Sequence, residues 1–243
     1  MKQRLDQLLV QREFAESREK AQRLILAGAV RVADQVATKP GHDYADDVMI
    51  TVDQPERFVS RGGEKLEGAF QHFHLNVTGK LCVDIGASTG GFTDCLLQHG
   101  AARVFAVDVG KGQLHWKLRN DPRVVVLDGL NARFLRAEHL PALPQMATVD
   151  ASFISLTLVL PAVKELLAPG GEIVTLIKPQ FEAGRAEVGK GGVVRDPLVR
   201  QRVVERVRAF GEDRLGLQWV GVCASPLLGP AGNVEFLAYW KKP

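Results

Sequence analysis

Hydrophobic and polar positions follow two different patterns along this chain, and the change falls near residue 80. Leu5, Leu8 and Leu9 recur at helical spacing within residues 2–12, which predicts an amphipathic helix. Ser17 has the short, oxygen-bearing side chain of an N-cap and precedes Ala21, Leu24, Ile25 and Leu26. A second helix is therefore expected, ended by Gly28 at its C′ position. AVRVADQVA, residues 29–37, alternates apolar and polar side chains like a half-buried strand and turn. KPGHDYADD reads as loop and VMITV as a short closing strand, so these elements make one small α+β unit. PERFVSRGGEKL, with its proline and paired glycines, reads as a linker, and His72 and His74 beyond it as a half-exposed strand or loop face.

Beyond residue 80, LCVDIG, RVFAVDV, RVVVLDG, MATVDAS and EIVTLIK are apolar runs of strand length. Stretches long enough for helices, such as GFTDCLLQHG and SLTLVLPAVKELL, separate them. The runs are continuous rather than alternating, as expected of strands buried on both faces of a parallel sheet. PLVRQRVVERVRAF, residues 197–210, reads as a helix with proline in its first turn. LQWVGVCAS and NVEFLAYWKK follow with no helix between them, so the last two strands are expected to be antiparallel. The predicted fold class is α/β: a Rossmann-like sheet with an antiparallel last strand, preceded by the small α+β unit.

A length of 243 residues suits one large domain and one small one. No apolar run approaches the roughly 20 residues needed to span a bilayer. The first residues lack the apolar core of a signal peptide, so a cytoplasmic protein is expected. Cys82, Cys95 and Cys223 form no CxxC or Cys/His ligand spacing, and no HExxH is present. Reduced core cysteines and no metal are the expectation. The net charge of +3 is compatible with nucleic acid without requiring it, and its distribution says more. From Lys2 to Arg31 seven basic residues face four acidic ones, whereas from Asp34 to Glu56 six acidic residues face Lys39 alone. A basic face is thus available on the first elements.

The stretch DIGASTGGF, Asp84 to Phe92, lies between a predicted strand and helix. Its glycines allow a tight turn and let a ligand approach the backbone. The spacing of Gly86 and Gly90 differs from the dinucleotide fingerprint, and no G-K-[ST] ending makes it a P-loop. Asp108 ends the second strand, where a carboxylate accepts hydrogen bonds from both ribose hydroxyls, and Asp128 ends the third, near an adenine. An acidic ribose site beside a turn without phosphate-binding features fits S-adenosylmethionine better than NAD or ATP. Asp150 and Lys178 close the fourth and fifth strands and are expected to face one crevice with Asp84. Asp150 could equally cap the helix near Ser155. Glu235, between Val234 and Phe236 in the final strand, is either edge-exposed or functional, and Lys65 in the linker reads as solvated. Residues 179–197, PQFEAGRAEVGKGGVVRDP, form a long segment without a clear element, expected to be a mobile flap.

Over its whole length the chain resembles the TlyA (haemolysin-A-like) RNA methyltransferases. Residues 3–52 look like an S4 RNA-binding domain. SRGGEKL, DIGASTGGF, DASFISL, LIKPQFE and NVEFLAYW resemble the ordered motifs of that family, whose fold is that of the FtsJ-type ribose methyltransferases. The resemblance implies an S4 domain at 1–57, a linker at 58–66 and a methyltransferase domain at 67–243. It implies S-adenosylmethionine held by Asp84, Gly86, Ala87, Ser88, Thr89, Gly90, Gly91, Phe92, Asp108 and Asp128. It also implies a Lys-Asp-Lys-Glu tetrad, matched by Lys65, Asp150, Lys178 and Glu235, acting on the ribose 2′-hydroxyl of a cytidine in ribosomal RNA or ribosomal subunits. Arg4, Arg18, Lys20, Arg23, Arg31, Arg185 and Lys190 are the basic residues expected to meet that RNA. Two other classes compete. A non-catalytic RNA-binding or ribosome-assembly factor is opposed by the complete tetrad and glycine turn, and a membrane-active haemolysin by the hydropathy.

Overall fold

The N-terminal leucines are buried in the computed structural model, which describes residues 2–53 and 57–243. The chain divides into two units, residues 1–57 and 58–243. The first contains β1 (Lys2–Arg4), α1 (Leu5–Gln11), α2 (Arg18–Leu26), β2 (Val30–Val32), β3 (Gln35–Val36), β4 (Asp43–Ala45) and β5 (Ile50–Val52). The predicted first helix loses its first residues to β1, which pairs antiparallel with β4 in the segment expected to be loop. Backbone pairing explains the change. The first helical N–H groups, of Leu5 and Asp6, donate to the carbonyls of His42 and Pro40 at 2.9 and 3.1 Å. Ser17 caps α2 by accepting from the Lys20 N–H, and Gly28 follows the helix at φ +73°. Leu5, Leu8, Leu9, Ala21, Ile25, Val30 and Val32 form the core of this unit.

Asp6 is fully buried in the first unit and accepts hydrogen bonds from Arg4, Arg18 and Gln22, each at 2.9 Å. The Arg4 guanidinium, helped by Gln22 and Arg18, holds this carboxyl well below the usual carboxylate range. Arg4 and Arg18 are therefore tethered to a buried carboxylate, while Arg18, like Lys20, Arg23 and Arg31, is exposed.

The second unit contains α3 (Gly62–Phe73), β6 (Leu81–Ile85), α4 (Gly91–Gln98), β7 (Arg103–Asp108), α5 (Trp116–Arg119), β8 (Val124–Asp128), β9 (Met146–Val149), α6 (Leu156–Leu166), β10 (Glu172–Ile177), α7 (Pro179–Glu182), α8 (Pro197–Ala209), β11 (Gln218–Ala224) and β12 (Phe236–Lys241). The strands join in the order β11-β12-β10-β9-β6-β7-β8. β12 runs antiparallel to both β10 and β11, and the remaining pairs are parallel. Cys82, Val104, Ala106 and Met146 pack on one face with α3 and α4, while Val83, Ile85, Phe105 and Val107 pack on the other with α6 and α8. Helices on both faces explain why the strands read as continuous apolar runs. The chain leaves β6 toward β7 and β8, then returns to β9 on the other side. The crevice beyond the carboxyl ends of β6 and β9 is thus the switch point where such sheets bind ligands.

Several local expectations change. The stretch read as a linker lies partly outside the described residues, and from residue 57 on it is structured: Phe58 is buried and α3 begins at Gly62, with Lys65 and Leu66 inside. The paired glycines serve packing, because a Cβ on Gly63 would lie 2.2 Å from the Phe58 ring. His72 lies in α3, and His74 is its C-cap in the left-handed conformation. Glu235 precedes β12 rather than lying within it, and β12 is an interior strand. The segment after β10 is also tied down. It forms α7 and a 3-10 turn at Arg185–Glu187, and Asn233 clamps it by accepting from the Val194 N–H and donating to the Gly192 carbonyl.

Candidate active site

The turn from β6 into α4 takes three residues through the left-handed region: Gly86, Ser88 and Gly90, at φ +81°, +48° and +99°. The glycines here are required by contact as well as by conformation. A Cβ on Gly86 would sit 2.6 Å from the Asp150 carbonyl oxygen, and one on Gly91 would sit 2.7 Å from the Gly63 nitrogen. The end of β6 can therefore meet the end of β9, and the start of α4 can meet the start of α3. Gly90 faces inward instead, where a Cβ would strike Leu118 at 2.2 Å.

Asp84 does not face the crevice, which corrects the expectation that it would. It is fully buried and accepts hydrogen bonds from Thr93 and Thr148 at 2.7 and 2.9 Å, fastening α4 and β9 to β6. Burial pushes its carboxyl up from 3.8 to about 7. The folded protein thus keeps a proton that the unfolded chain releases. The stability this group contributes is complete below pH 3.8 and is lost as pH rises through about 7. Asp84→Asn should remove that dependence, so thermal unfolding midpoints followed from pH 5 to 8 should fall less steeply than in the wild type. Parallel curves would show that Asp84 is ionised throughout.

Asp108 and Asp128 divide in the same way. Asp108 accepts from the Ser88 N–H at 2.8 Å and the Gly110 N–H at 2.7 Å, and it lines a cavity of about 540 Å³ with Gly86, Ser88, Gln113 and Asn131. Asp128 lines no cavity with it. Its carboxylate accepts from the Gly112 N–H and from Arg119 at 2.6 Å, which hold it below the usual range and brace the chain before β8.

An adjoining cavity of about 650 Å³ is lined by Ala87, Ser88, Thr89, Gly91 and Phe92 of the turn, and by Lys65, Asp150, Lys178 and Glu235. The four tetrad positions come from the first helix of the second unit, two strand ends in the middle of the chain, and the segment leading into its last strand. They form two ion pairs. Lys65 Nζ donates to Glu235 Oε2 at 2.6 Å, and Lys178 Nζ lies 2.5 Å from Asp150 Oδ1. The second contact is an ion pair without hydrogen-bond geometry, and Lys178 also donates to Ser152 Oγ at 2.7 Å. Lys65, Lys178 and Glu235 are at least nine-tenths buried. Among the described residues, the buried side-chain polar atoms left without a hydrogen-bond partner are Asp150 Oδ1, Gln180 Oε1 and Glu235 Oε1, and all three residues line this cavity.

Several cavity residues escaped the sequence reading although they flank its motifs. Phe153 is 90 % exposed at φ +63°, and its ring meets that of Phe181 at 5.1 Å. Such a backbone conformation is costly for an aromatic residue and marks functional loops. Glu182 holds this loop by accepting from Ser155 Oγ and the Leu156 N–H, each at 2.7 Å, and burial pushes its carboxyl up. Arg185 lies at a third cavity, beside Phe153, Phe181 and Arg133, whereas Lys190 is exposed and lines none of the three. Away from these cavities Glu67, Cys95 and His99 come together, a grouping the linear spacing did not reveal. His99 is hydrogen-bonded to Glu67 at 2.7 Å and stacked on Phe70, which accounts for its placement.

Comparison with known proteins identifies the two parts of the chain. The FtsJ-like methyltransferase family model matches residues 58–242, and the S4 domain model matches residues 3–45. The 16S/23S rRNA (cytidine-2′-O)-methyltransferase TlyA of Mycobacterium tuberculosis is 50% identical over 238 residues, covering 97% of this chain and 88% of that protein. A solved structure described as a hemolysin of Streptococcus thermophilus superposes with a TM-score of 0.76 at 44% identity, covering 99% of this chain and 88% of the other. The N-methyltransferase NodS of Bradyrhizobium japonicum, solved with S-adenosyl-L-homocysteine, shares the fold at a TM-score of 0.52 and 17% identity, over 75% of this chain and 86% of that one. Among the described residues no helix is long and apolar enough to cross a membrane.

Proposed function

Because the chain belongs to the FtsJ-like methyltransferase family, we propose that it transfers a methyl group from S-adenosylmethionine to the ribose 2′-hydroxyl of a cytidine in ribosomal RNA. The observation that carries this reading is the clustering of two lysine–carboxylate pairs with buried acceptors that lack a hydrogen bond, in one cavity beside the glycine turn. A buried acceptor without a partner is costly, and hydroxyl or amino donors of a polar ligand relieve that cost.

The residues suit S-adenosylmethionine. Gly86 and Gly91 line the cavity beside Ser88 and Thr89, and Asp108 in the adjoining cavity suits ribose hydroxyls. The cofactor, when bound, supplies an electrophilic methyl group on a sulfonium sulfur. The protein's own residues align the acceptor. Lys178 Nζ donates to the 2′-oxygen and steadies its developing charge, while Asp150 Oδ1 accepts the hydroxyl proton as the oxygen attacks. Ser152 holds the Lys178 ammonium, and Glu235 holds that of Lys65. The exposed Phe153 ring, with Phe181 behind it, gives the acceptor base a stacking surface. The first unit contributes RNA affinity through Lys20, Arg23 and Arg31, and the anchored Arg4 and Arg18 present fixed charges.

The test is to map 2′-O-methyl groups on ribosomal RNA from cells with and without this protein. A cytidine methylated only in its presence is expected, and identical maps would sink the proposal. With the purified protein, Lys20→Glu combined with Arg23→Glu should weaken RNA binding and flatten its salt dependence. The log–log slope should fall by roughly 0.7–0.9 for each phosphate that is no longer neutralised. Cofactor affinity should not change, and an unaltered slope would give these side chains another role.

A further inference from the structure

The transfer step leaves Gln180 without a task. It stands two residues beyond Lys178, in α7, and lines the same cavity. Its Oε1 is buried and has no hydrogen-bond partner. The other two orphaned acceptors belong to the ion pairs at the reacting oxygen, but Gln180 carries no charge and touches neither pair through a hydrogen bond. A buried acceptor of this kind calls for an N–H or O–H donor on the ligand.

The surroundings narrow that donor. Lys178 Nζ pairs with Asp150 and donates to Ser152, and no hydrogen bond from it reaches the amide oxygen. Phe181, the next residue, has its ring against Phe153, whose exposed face opens onto the cavity. A flat group stacked there, attached to a ribose whose 2′-oxygen reaches Lys178, turns an edge toward α7. We propose that Gln180 Oε1 accepts a hydrogen bond from the exocyclic N4 amino group of the acceptor cytosine, making Gln180 a specificity-determining residue. This inference rests on the ribose methylation proposed above. The amide suits that edge, because its Nε2 donor can meet the N3 acceptor beside the amino group.

The experiment removes one atom group from each side of the contact. Full-length wild type and Gln180→Leu are given an rRNA fragment carrying the mapped acceptor cytidine, and the same fragment with 2-pyrimidinone riboside, which lacks the amino group, at that position. kcat/KM for 2′-O-methylation is read for all four pairs. Wild type should lose about tenfold on the des-amino RNA, the usual effect of leaving a buried acceptor bare. Gln180→Leu should methylate both RNAs at a similar, lowered rate, with cofactor affinity unchanged. Gln180→Glu, which keeps the acceptor, should still prefer the amino-bearing base. Independent losses that multiply in the Gln180→Leu pair, or a wild type indifferent to the amino group, would overturn the assignment. If Gln180→Leu fails to fold, Gln180→Glu and the wild-type arm decide the question. Wild type that places no 2′-O-methyl group on the cytidine RNA would instead defeat the proposed function, a distinct result.

Discussion

Lys178→Ala is expected to slow single-turnover methyl transfer by about a thousandfold while leaving the fold and both ligands' binding nearly intact. Lys178 closes β10 with its ammonium between Asp150 and Ser152, and removing it takes away the donor proposed for the 2′-oxygen. Truncation opens no large apolar void, since the side chain ends in a polar cavity. Asp150 then loses its cation, so some loss of stability is expected, but Asp150 retains 22% side-chain exposure through which water can reach it. Lys178→Arg should also be poor, because a planar guanidinium does not reproduce a point charge held between two oxygens. Asp150→Ala should cost a comparable factor, and the double variant little more than either alone, since the pair works as one unit. Rates measured with saturating RNA and cofactor separate chemistry from binding. A Lys178→Ala protein that keeps most of its single-turnover rate would show the assignment to be wrong.

Gly86→Ala should raise the cofactor dissociation constant by about a hundredfold, close to 2.8 kcal/mol. Two costs combine at this position. The residue is held at φ +81°, and an added Cβ meets the Asp150 carbonyl oxygen at 2.6 Å. The obstacle is backbone, so no rotamer change relieves it, and the ends of β6 and β9 must part. Parting them disturbs the cavity and moves Asp150 away from Lys178. The unfolding midpoint should fall as well, by roughly 2–4 °C for each kcal/mol in a unit of this size. Gly79→Ala is the control. Gly79 has φ +73° but nothing within 4 Å of an added Cβ, so it carries the conformational cost without the collision. Calorimetric titration should show weakened binding for Gly86→Ala and wild-type binding for Gly79→Ala. Equal effects from both would mean that strain alone, and not the meeting of the strands, sets the affinity.

The features that sequence alone determined are those written in local order. Continuous apolar runs separated by amphipathic stretches specify a parallel sheet covered on both faces, and the missing crossover before the last strand specifies its antiparallel direction. DIGASTGG announced a turn too tight for side chains, and DASF and LIKPQF put an acid and a lysine at strand ends that a parallel sheet must bring to one edge. Tertiary structure decided what local order does not encode. Asp84 and Asp108 both lie at strand ends, yet Asp84 turns into the core against Thr93 and Thr148 while Asp108 reaches a cavity. Lys65 in an apparent linker and Glu235 in an apparent edge strand become a buried pair only when α3 covers the sheet and β12 inserts between β10 and β11. Residues 65 and 235 are separated by most of the chain, so no periodicity relates them. Their burial is tolerable only together, because each charge compensates the desolvation of the other, and that compensation exists only once the chain has folded.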